Sequence, residues 1–438
     1  MERPMDFPME LVVEILSWLP AESLLRFKCV CKSWYALING GDFVAKHHRN
    51  LNKISSDKSF FFINYGWRTY TRPEKLFLTI REDGDDDHIK FVIENSMSPL
   101  FQLYKEYARP FLGCHCNGIF CLYSCVSKKV LLCNPTTKEC RFLPNSSAVD
   151  DYSTAMLGFG CVNGFYKVVR VSTREGVSFV AEVYTFGTSS WREIEMNVLE
   201  SEQEIFQLVF ASLKNTFQEQ CCRGVYYWLF SLSSEKEMMI SFDMCEEEFR
   251  RVALPDRAES RGYLVSTSLQ TWNDSLALLY CPGCSDTIGS IEMWVMSDSA
   301  VCADGHTGPR SWTKYRTFGP LEGIWCPLAF WKSDELLMRA KDEEQTIGSI
   351  EMWVMSDSAV CADGHTGPRS WTKYRTFGPL EGIWCPLAFW KSDELLMRAK
   401  DEGVVSYNLH TQKLRSASTL VSPVDFAHIY LKTLVSVY

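Results

Sequence analysis

Between residues 7 and 38 the chain reads FPMELVVEILSWLPAESLLRFKCVCKSWYALI, and its apolar positions recur at helical rather than strand spacing. Leu11, Val12, Ile15, Leu16 and Leu19 form one stripe, with Asp6 placed to cap it, Pro8 near its first turn and Pro20 at its end. Leu24, Leu25, Phe27 and Val30 make a second piece, and Cys31, Trp34, Leu37 and Ile38 a third, with Lys and Arg on the other faces. The spacing predicts three short amphipathic helices. Segments of about 40 residues rarely bury enough to stand alone, so this unit has an apolar surplus. Either a partner covers it or the rest of the chain does.

After about residue 50 the period shortens to that of strands. Aromatic and β-branched runs such as SFFFINY, YKVVRV, VYYWLF and LALLYC alternate with turn residues. A strand, a polar turn and a second strand recur in VLLCNPTTKECRFLP, AEVYTFGTSSWREI, MISFDMCEEEFRRVALP and VVSYNLHTQKLRS, which read as four diverged copies of one hairpin. Many short strands at near-regular spacing predict a closed mainly-β domain of the β-propeller kind, because closure removes edges open to pairing. A plain β-sandwich is the alternative.

Residues 287–343 recur unchanged at 346–402, an offset of 59 residues (346 minus 287). Each copy holds four candidate strands, IEMWVM, SWTKYRTF, PLAFW and ELLMRA, and four strands make one propeller blade. One reading is an extra blade, inserted in phase with the strand order. The other is a locally disordered or strained copy, because closed sheets have linked geometry, and either one puts recognition of a target by this chain in doubt.

Composition narrows the chemistry. The net charge is -9, without a long basic block, which argues against nucleic acid or an anionic membrane as partner and favours a basic protein. The run Glu82, Asp83, Gly84, Asp85, Asp86, Asp87 reads as a solvated loop. No stretch of about 18 apolar residues occurs, and Glu2, Arg3, Asp6, Glu10 and Glu14 interrupt the start, so neither membrane span nor signal peptide is expected. A cytoplasmic protein is expected, with the nucleus also open, and its 18 cysteines then read as reduced and largely buried. Cys114, His115, Cys116, Cys121 and Cys125 lack the paired spacing of a zinc knuckle, and Cys281-Pro-Gly-Cys284 reads first as a turn. No nucleophile elbow, phosphate loop, kinase set or zinc-protease motif is found. No catalytic residue, metal ligand or cofactor is expected.

The order Pro8, Leu11, Ile15, Leu16, Leu19, Pro20, Leu24, Leu25, Phe27, Val30, Cys31, Lys32, Trp34, Leu37, Ile38 and Phe43 resembles the F-box, with Phe7 where that family more often has Leu. The resemblance implies docking on a Skp-type adaptor, which bridges to a cullin and its RING subunit. It assigns adaptor binding to Pro8, Leu11, Ile15, Leu16, Leu19, Pro20, Leu24, Leu25, Val30, Cys31 and Trp34. Four or five such side chains buried on a partner contribute roughly 1.5 to 3 kcal/mol each before association costs.

The body resembles the F-box-associated domain of plants in CNGIFCL (116–122), NPTTKECRFLP (134–144), GFGCVNGFYKVVRV (158–171), EVYTFGTSSWREI (182–194), FDMCEEEFRRVALP (242–255) and the stretch from 370 to 397. This implies an F-box at 1–48, a linker with the first β segments at 49–100, and the associated domain at 101–438. RFKCVCKSWYALI, VLLCNP, PLAFWKSDELLM and the ending PVDFAHIYLKTLVSVY are similar to the S-locus F-box proteins of the rose family. In those, the body recognises S-RNases in the pollen tube cytosol and the F-box delivers them for ubiquitination. The resemblance thus implies a non-catalytic substrate receptor. The alternatives are a receptor for another plant protein, or a non-catalytic β-propeller scaffold.

Overall fold

The computed structural model describes residues 8–54, 59–63, 75–82, 88–93, 111–124, 128–146, 154–174, 178–199, 201–213, 217–233, 236–255, 266–281, 289–297, 310–321, 324–332, 335–340, 350–356, 370–378, 380, 382–391, 393–399, 403–417, 426–430 and 432–437. Helices α1 (Met9–Ser17), α2 (Ala21–Phe27) and α3 (Lys32–Asn39) occupy the three predicted positions. Pro8 caps α1 through its carbonyl, which accepts the Leu11 and Val12 amides at 3.0 and 3.2 Å. The expected cap Asp6 lies outside the described residues.

A fourth helix, α4 (Gly41–Ile54), follows directly and was not announced by the apolar pattern. It turns Phe43, Val44 and His47 inward at helical spacing and clamps α1 and the turn after it through polar contacts. Lys46 pairs with Glu14 at 2.5 Å, Asn50 donates to the Ser17 hydroxyl at 2.9 Å, and the His47 ring meets the Leu19 carbonyl at 2.9 Å. Burial pushes the His47 imidazole below its usual value, so it is held neutral.

Among the described residues, five four-stranded antiparallel sheets follow in chain order, at 111–142, 154–194, 217–252, 266–321 and 324–377. In the sixth, the four strands between 383 and 417 are extended by His88–Ile93, Lys75–Glu82, Ser59–Ile63 and Phe426–Tyr430. That sheet is thus two four-stranded sets joined by a short parallel pairing of Ser416 with His88 and Ala417 with Ile89. Early and late strands share it, since Ser59–Ile63 lies between Lys75–Glu82 and Phe426–Tyr430.

Two turns recur. The first hairpin of each of the first four sheets closes on two residues with positive φ: Asn117-Gly118, Asn163-Gly164, Arg223-Gly224 and Asn273-Asp274. That is the geometry of a tight two-residue turn whose twist matches the strands. The last hairpin of the first, third and sixth sheets turns on the side chain of Asn134, Asp243 or Asn408. Each accepts amides two and three residues on, and the residue four on (Lys138, Glu247, Gln412) adopts positive φ. All four hairpins read as copies in the sequence are the outer pairs of four-stranded sets.

The duplicated unit folds in strand phase but not as one sheet. Gly289–Ser297 and Ser311–Leu321 of the first copy complete the fourth sheet, and Ile324–Lys332 and Glu335–Ala340 begin the fifth. The second copy finishes the fifth with Ile350–Ser356 and Ser370–Phe377 and begins the sixth. The insertion therefore adds four strands, yet the fifth sheet is a hybrid of two copies. Its central pairing sets Leu336 against Trp353, whereas the parent strands pair Leu278 with Trp294 and Leu395 with Tyr407.

The hybrid keeps local contacts and loses some that cross its seam. Trp294 donates to Glu292 and Trp353 to Glu351, both at 3.1 Å, and Lys314 and Lys373 pair with the same glutamates. Tyr315 packs on Trp272 with ring centroids 4.7 Å apart, whereas its copy Tyr374 is 70% exposed. Register puts Lys332 at the position corresponding to Trp272.

Neighbouring sheets are joined by apolar contacts. The first three share one core that includes Leu132, Phe159 and Trp228, where Gly158 permits the approach. A Cβ at Gly158 would stand 2.8 Å from Val169 and 2.9 Å from Trp228. The third and fourth meet through Tyr227 and Leu278, the fourth and fifth through Met293 and Leu336, and the fifth and sixth through Met352 and Met397.

Candidate functional site

Helix α1 carries apolar residues on two faces. Val12, Val13, Leu16 and Leu19 turn inward, with Leu16 only 3% exposed. Pro8, Leu11, Ile15 and Trp18 follow the same three- and four-residue spacing one step round the helix, and all four are exposed, Leu11 at 50% and Ile15 at 58%. Trp18 is held by an indole hydrogen bond to Glu14 at 2.9 Å, and the other Glu14 oxygen takes Lys46.

A second exposed group forms where α2 passes into α3. The Val30 amide bonds to the Phe27 carbonyl at 3.0 Å, closing the helix and leaving its side chain 61% exposed. Cys31 then runs extended at φ -161 and caps α3, and Tyr35, one turn into α3, is also exposed. The Cys31 thiol lies 3.0 Å from the Ser33 hydroxyl, and that bond with the Trp34 amide lowers its pKa below the ordinary thiol value. Trp34 is half-buried, packed edge-on against Phe27 at 5.6 Å.

The residues assigned to adaptor binding therefore separate into three groups. Pro8, Leu11, Ile15, Pro20, Val30 and Cys31 are exposed, and Leu19, Leu25 and Trp34 are half-buried. Leu16 and Leu24 lie inside the helical core with Ala21, Ile38, Phe43 and, from the far end of the chain, Leu434. The apolar surplus thus has two fates: one face is covered by this chain itself, by Phe43 and Val44 of α4 and by Leu434, and the other stays open. Met9, Trp18 and Tyr35 extend the open surface beyond the assigned residues; for Trp18 the available signal was its place seven positions after Leu11.

The β-body offers no comparable reactive centre among the described residues. Across the first hairpin Cys114 faces Cys121, both buried, while His115 faces Phe120. Burial pushes Cys114 and Cys116 up, and Cys140 and Cys221 up to about 11, so these thiols stay protonated at neutral pH. Burial holds the His115 imidazole down at about 4 and pushes the Glu219 carboxyl up to about 8, against the opposing pull of its hydrogen bond with Tyr226. Among the described residues no group of three His, Cys, Asp or Glu is arranged to hold a metal ion. No helix there is long and apolar enough to cross a membrane. Cys125, Cys284 and the acidic residues 83–87 lie outside the described residues.

Comparison with known proteins agrees with this division. Residues 5–45 match the F-box domain model and residues 74–314 match the model described as F-box associated beta propeller domain. An F-box/kelch-repeat protein of Arabidopsis thaliana is 27% identical over 346 residues, covering 77% of this chain and 86% of its own length. An F-box protein of the same plant is 25% identical over 315 residues, covering 68% of each chain. Among solved structures, the β-propeller domain of Cps50 (Swd1) from Myceliophteria thermophila matches with TM-score 0.38 at 10% identity, covering 69% of this chain and 84% of that one.

Proposed function

Because the chain belongs to the F-box associated beta propeller family and matches the F-box over residues 5–45, we propose that it is the substrate-recognition subunit of a Skp-cullin-F-box ubiquitin ligase. The observation that carries the reading is the outward stripe of α1, Pro8, Leu11, Ile15 and Trp18, standing open beside an inward stripe that already fills the helical core. A folded unit has no internal use for the outer stripe, and an apolar face of that kind fits a helical partner groove. Pro20, Val30, Cys31 and Tyr35 supply the second contact group of the docking surface, and Leu19, Leu25 and Trp34 contribute their half-buried edges. Leu16 and Leu24 act through the core that holds the surface in shape.

In this reading the chain performs no covalent chemistry. The adaptor brings the cullin and RING subunit, and the β-body holds a protein target close to the ubiquitin-loaded enzyme, so catalysis comes from proximity. For the target, we propose a pollen-side role against S-RNases. Its support is the likeness of RFKCVCKSWYALI, VLLCNP, PLAFWKSDELLM and PVDFAHIYLKTLVSVY to S-locus F-box proteins, and a net charge of -9 that suits a basic partner. The test is a pull-down from style extract with the protein co-expressed with a Skp-type adaptor, read by mass spectrometry. Enrichment of S-RNases supports both parts; retention of the adaptor with other proteins keeps the ligase reading and rejects the S-RNase.

A further inference from the structure

Residues 432–437, Lys-Thr-Leu-Val-Ser-Val, run between the helical unit and the first sheet with strand-like alternation. The even positions Lys432 and Leu434 face the helices. Lys432 pairs with Glu22 of α2, and Leu434, buried, fills the core beside Leu16 and Leu24. The odd positions face the body: Val437 is fully buried in the core shared by the first three sheets, and Val435 packs against it. Asn134, in the turn of the first sheet, fixes the backbone by donating to the Thr433 and Val435 carbonyls at 3.1 and 2.7 Å. Glu139, five residues on, accepts the Val437 amide at 3.0 Å. One short segment thus contributes to the cores of both parts of the molecule, and both of its edges are pinned.

We propose that this segment is a splint: it fixes the angle between the adaptor-docking helices and the β-body, and so sets where a bound target sits relative to the adaptor. Its residues are positioning residues, acting through the orientation of the two parts and touching neither adaptor nor target. The proposal deepens the ligase reading and rests on it for its consequence, but its structural content stands apart. A flexible joint would let the target sample many positions, lowering its effective concentration at the ubiquitin-loaded enzyme.

The test uses the full chain, alone and with a Skp-type adaptor. The double variant Val435→Asp/Val437→Asp detaches the segment from the body while leaving Lys432 and Leu434 on the helices; a chain ending at residue 431 removes it altogether; Val437→Ile is the conservative control. Three readouts are taken: carbodiimide cross-linking of Lys432 to Glu22 mapped by mass spectrometry, small-angle scattering, and the pattern of self-ubiquitinated lysines in the reconstituted ligase. The splint predicts that the double variant keeps the cross-link and binds adaptor within threefold of the parent. Its scattering broadens toward a two-body distribution and its modified lysines spread over more sites, while Val437→Ile behaves like the parent. Unchanged scattering and lysine pattern in the double variant and the truncated chain would overturn it, as would loss of adaptor binding in the double variant with its cross-link intact. If the parent itself fails to bind adaptor, the ligase reading fails, and the scattering of the free chain still decides the splint.

Discussion

Deleting residues 324–382 removes the hybrid fifth sheet whole. Because the two copies are identical, the product is the same chain as that made by deleting 287–345, with Gly323 joined to Ile383. In the intact protein Ile291 and Met293 of the fourth sheet pack on Leu336 and Met338 of the fifth. Leu395 and Met397 of the sixth sheet stand 59 positions after Leu336 and Met338, so the shortened chain offers the same side chains to the same neighbours. Conversely, the sixth sheet packs on Ile350 and Met352, whose copies in the fourth are Ile291 and Met293. What changes lies on the strand beneath: Leu336 and Leu337 give way to Leu278 and Leu279, Met338 to Tyr280, and Glu335 to Ala277. The leucine exchanges conserve volume and cost little, and the other two cost about 1 to 3 kcal/mol together if they strain the interface. The shortened protein should therefore express, bind adaptor, and melt within about 12 °C of the parent by circular dichroism, taking about 2 to 4 °C per kcal/mol. An aggregated product, or a melting point lower by more than that, would refute the argument that the insertion respects sheet boundaries.

Glu219→Gln should stabilise the β-body increasingly with pH. The folded carboxyl keeps its proton up to about 8 whereas the unfolded one loses it above 4.5, so the parent loses about 1.4 kcal/mol per pH unit across that window. Parallel melting-point curves for parent and variant between those limits would contradict it. His115 works in the opposite direction, removing stability as pH falls from 6.5 toward about 4, and His115→Phe should flatten that acid limb in the same melts. Iodoacetamide should modify exposed Cys31 well before buried Cys114, Cys121 and Cys133, and bound Skp-type adaptor should protect Cys31; peptide mapping showing equal rates with and without adaptor would count against the docking surface.

Much of this was legible in the chain for physical reasons. Helical spacing locates α1 to α3, and the repeated strand-turn-strand segments mark the outer hairpins in the sequence itself. The apolar pattern does not mark α4 because the run Lys46, His47, His48, Arg49 and Asn50 is polar, although His47 and Asn50 are buried and bonded to the Leu19 carbonyl just after α1 and to Ser17 in it. Periodicity also could not sort Leu16 from Ile15. Both belong to apolar stripes one residue apart, and only packing shows which is used inside. The duplicated segment announced four strands, but strand count says nothing about where a sheet boundary falls within them. The segment 432–437 was too short to register as a strand, and what it joins lies some 300 to 400 positions away in the chain, at Asn134 and Glu22.

The central claim is that the open stripe of α1 and the Val30 elbow bind a Skp-type adaptor, and calorimetric titration of the purified adaptor tests it most directly. Ile15→Asp and Val30→Asp change side chains that are 58% and 61% exposed, so each variant should keep the parent's helical signal and melting point. Losing roughly 1.5 to 3 kcal/mol of apolar burial per side chain, and adding a buried charge, should weaken binding by at least tenfold apiece. Leu16→Asp should also abolish binding, but with loss of the helical signal, because it places a carboxylate in the core. Parent-like affinity in both Ile15→Asp and Val30→Asp would contradict the account.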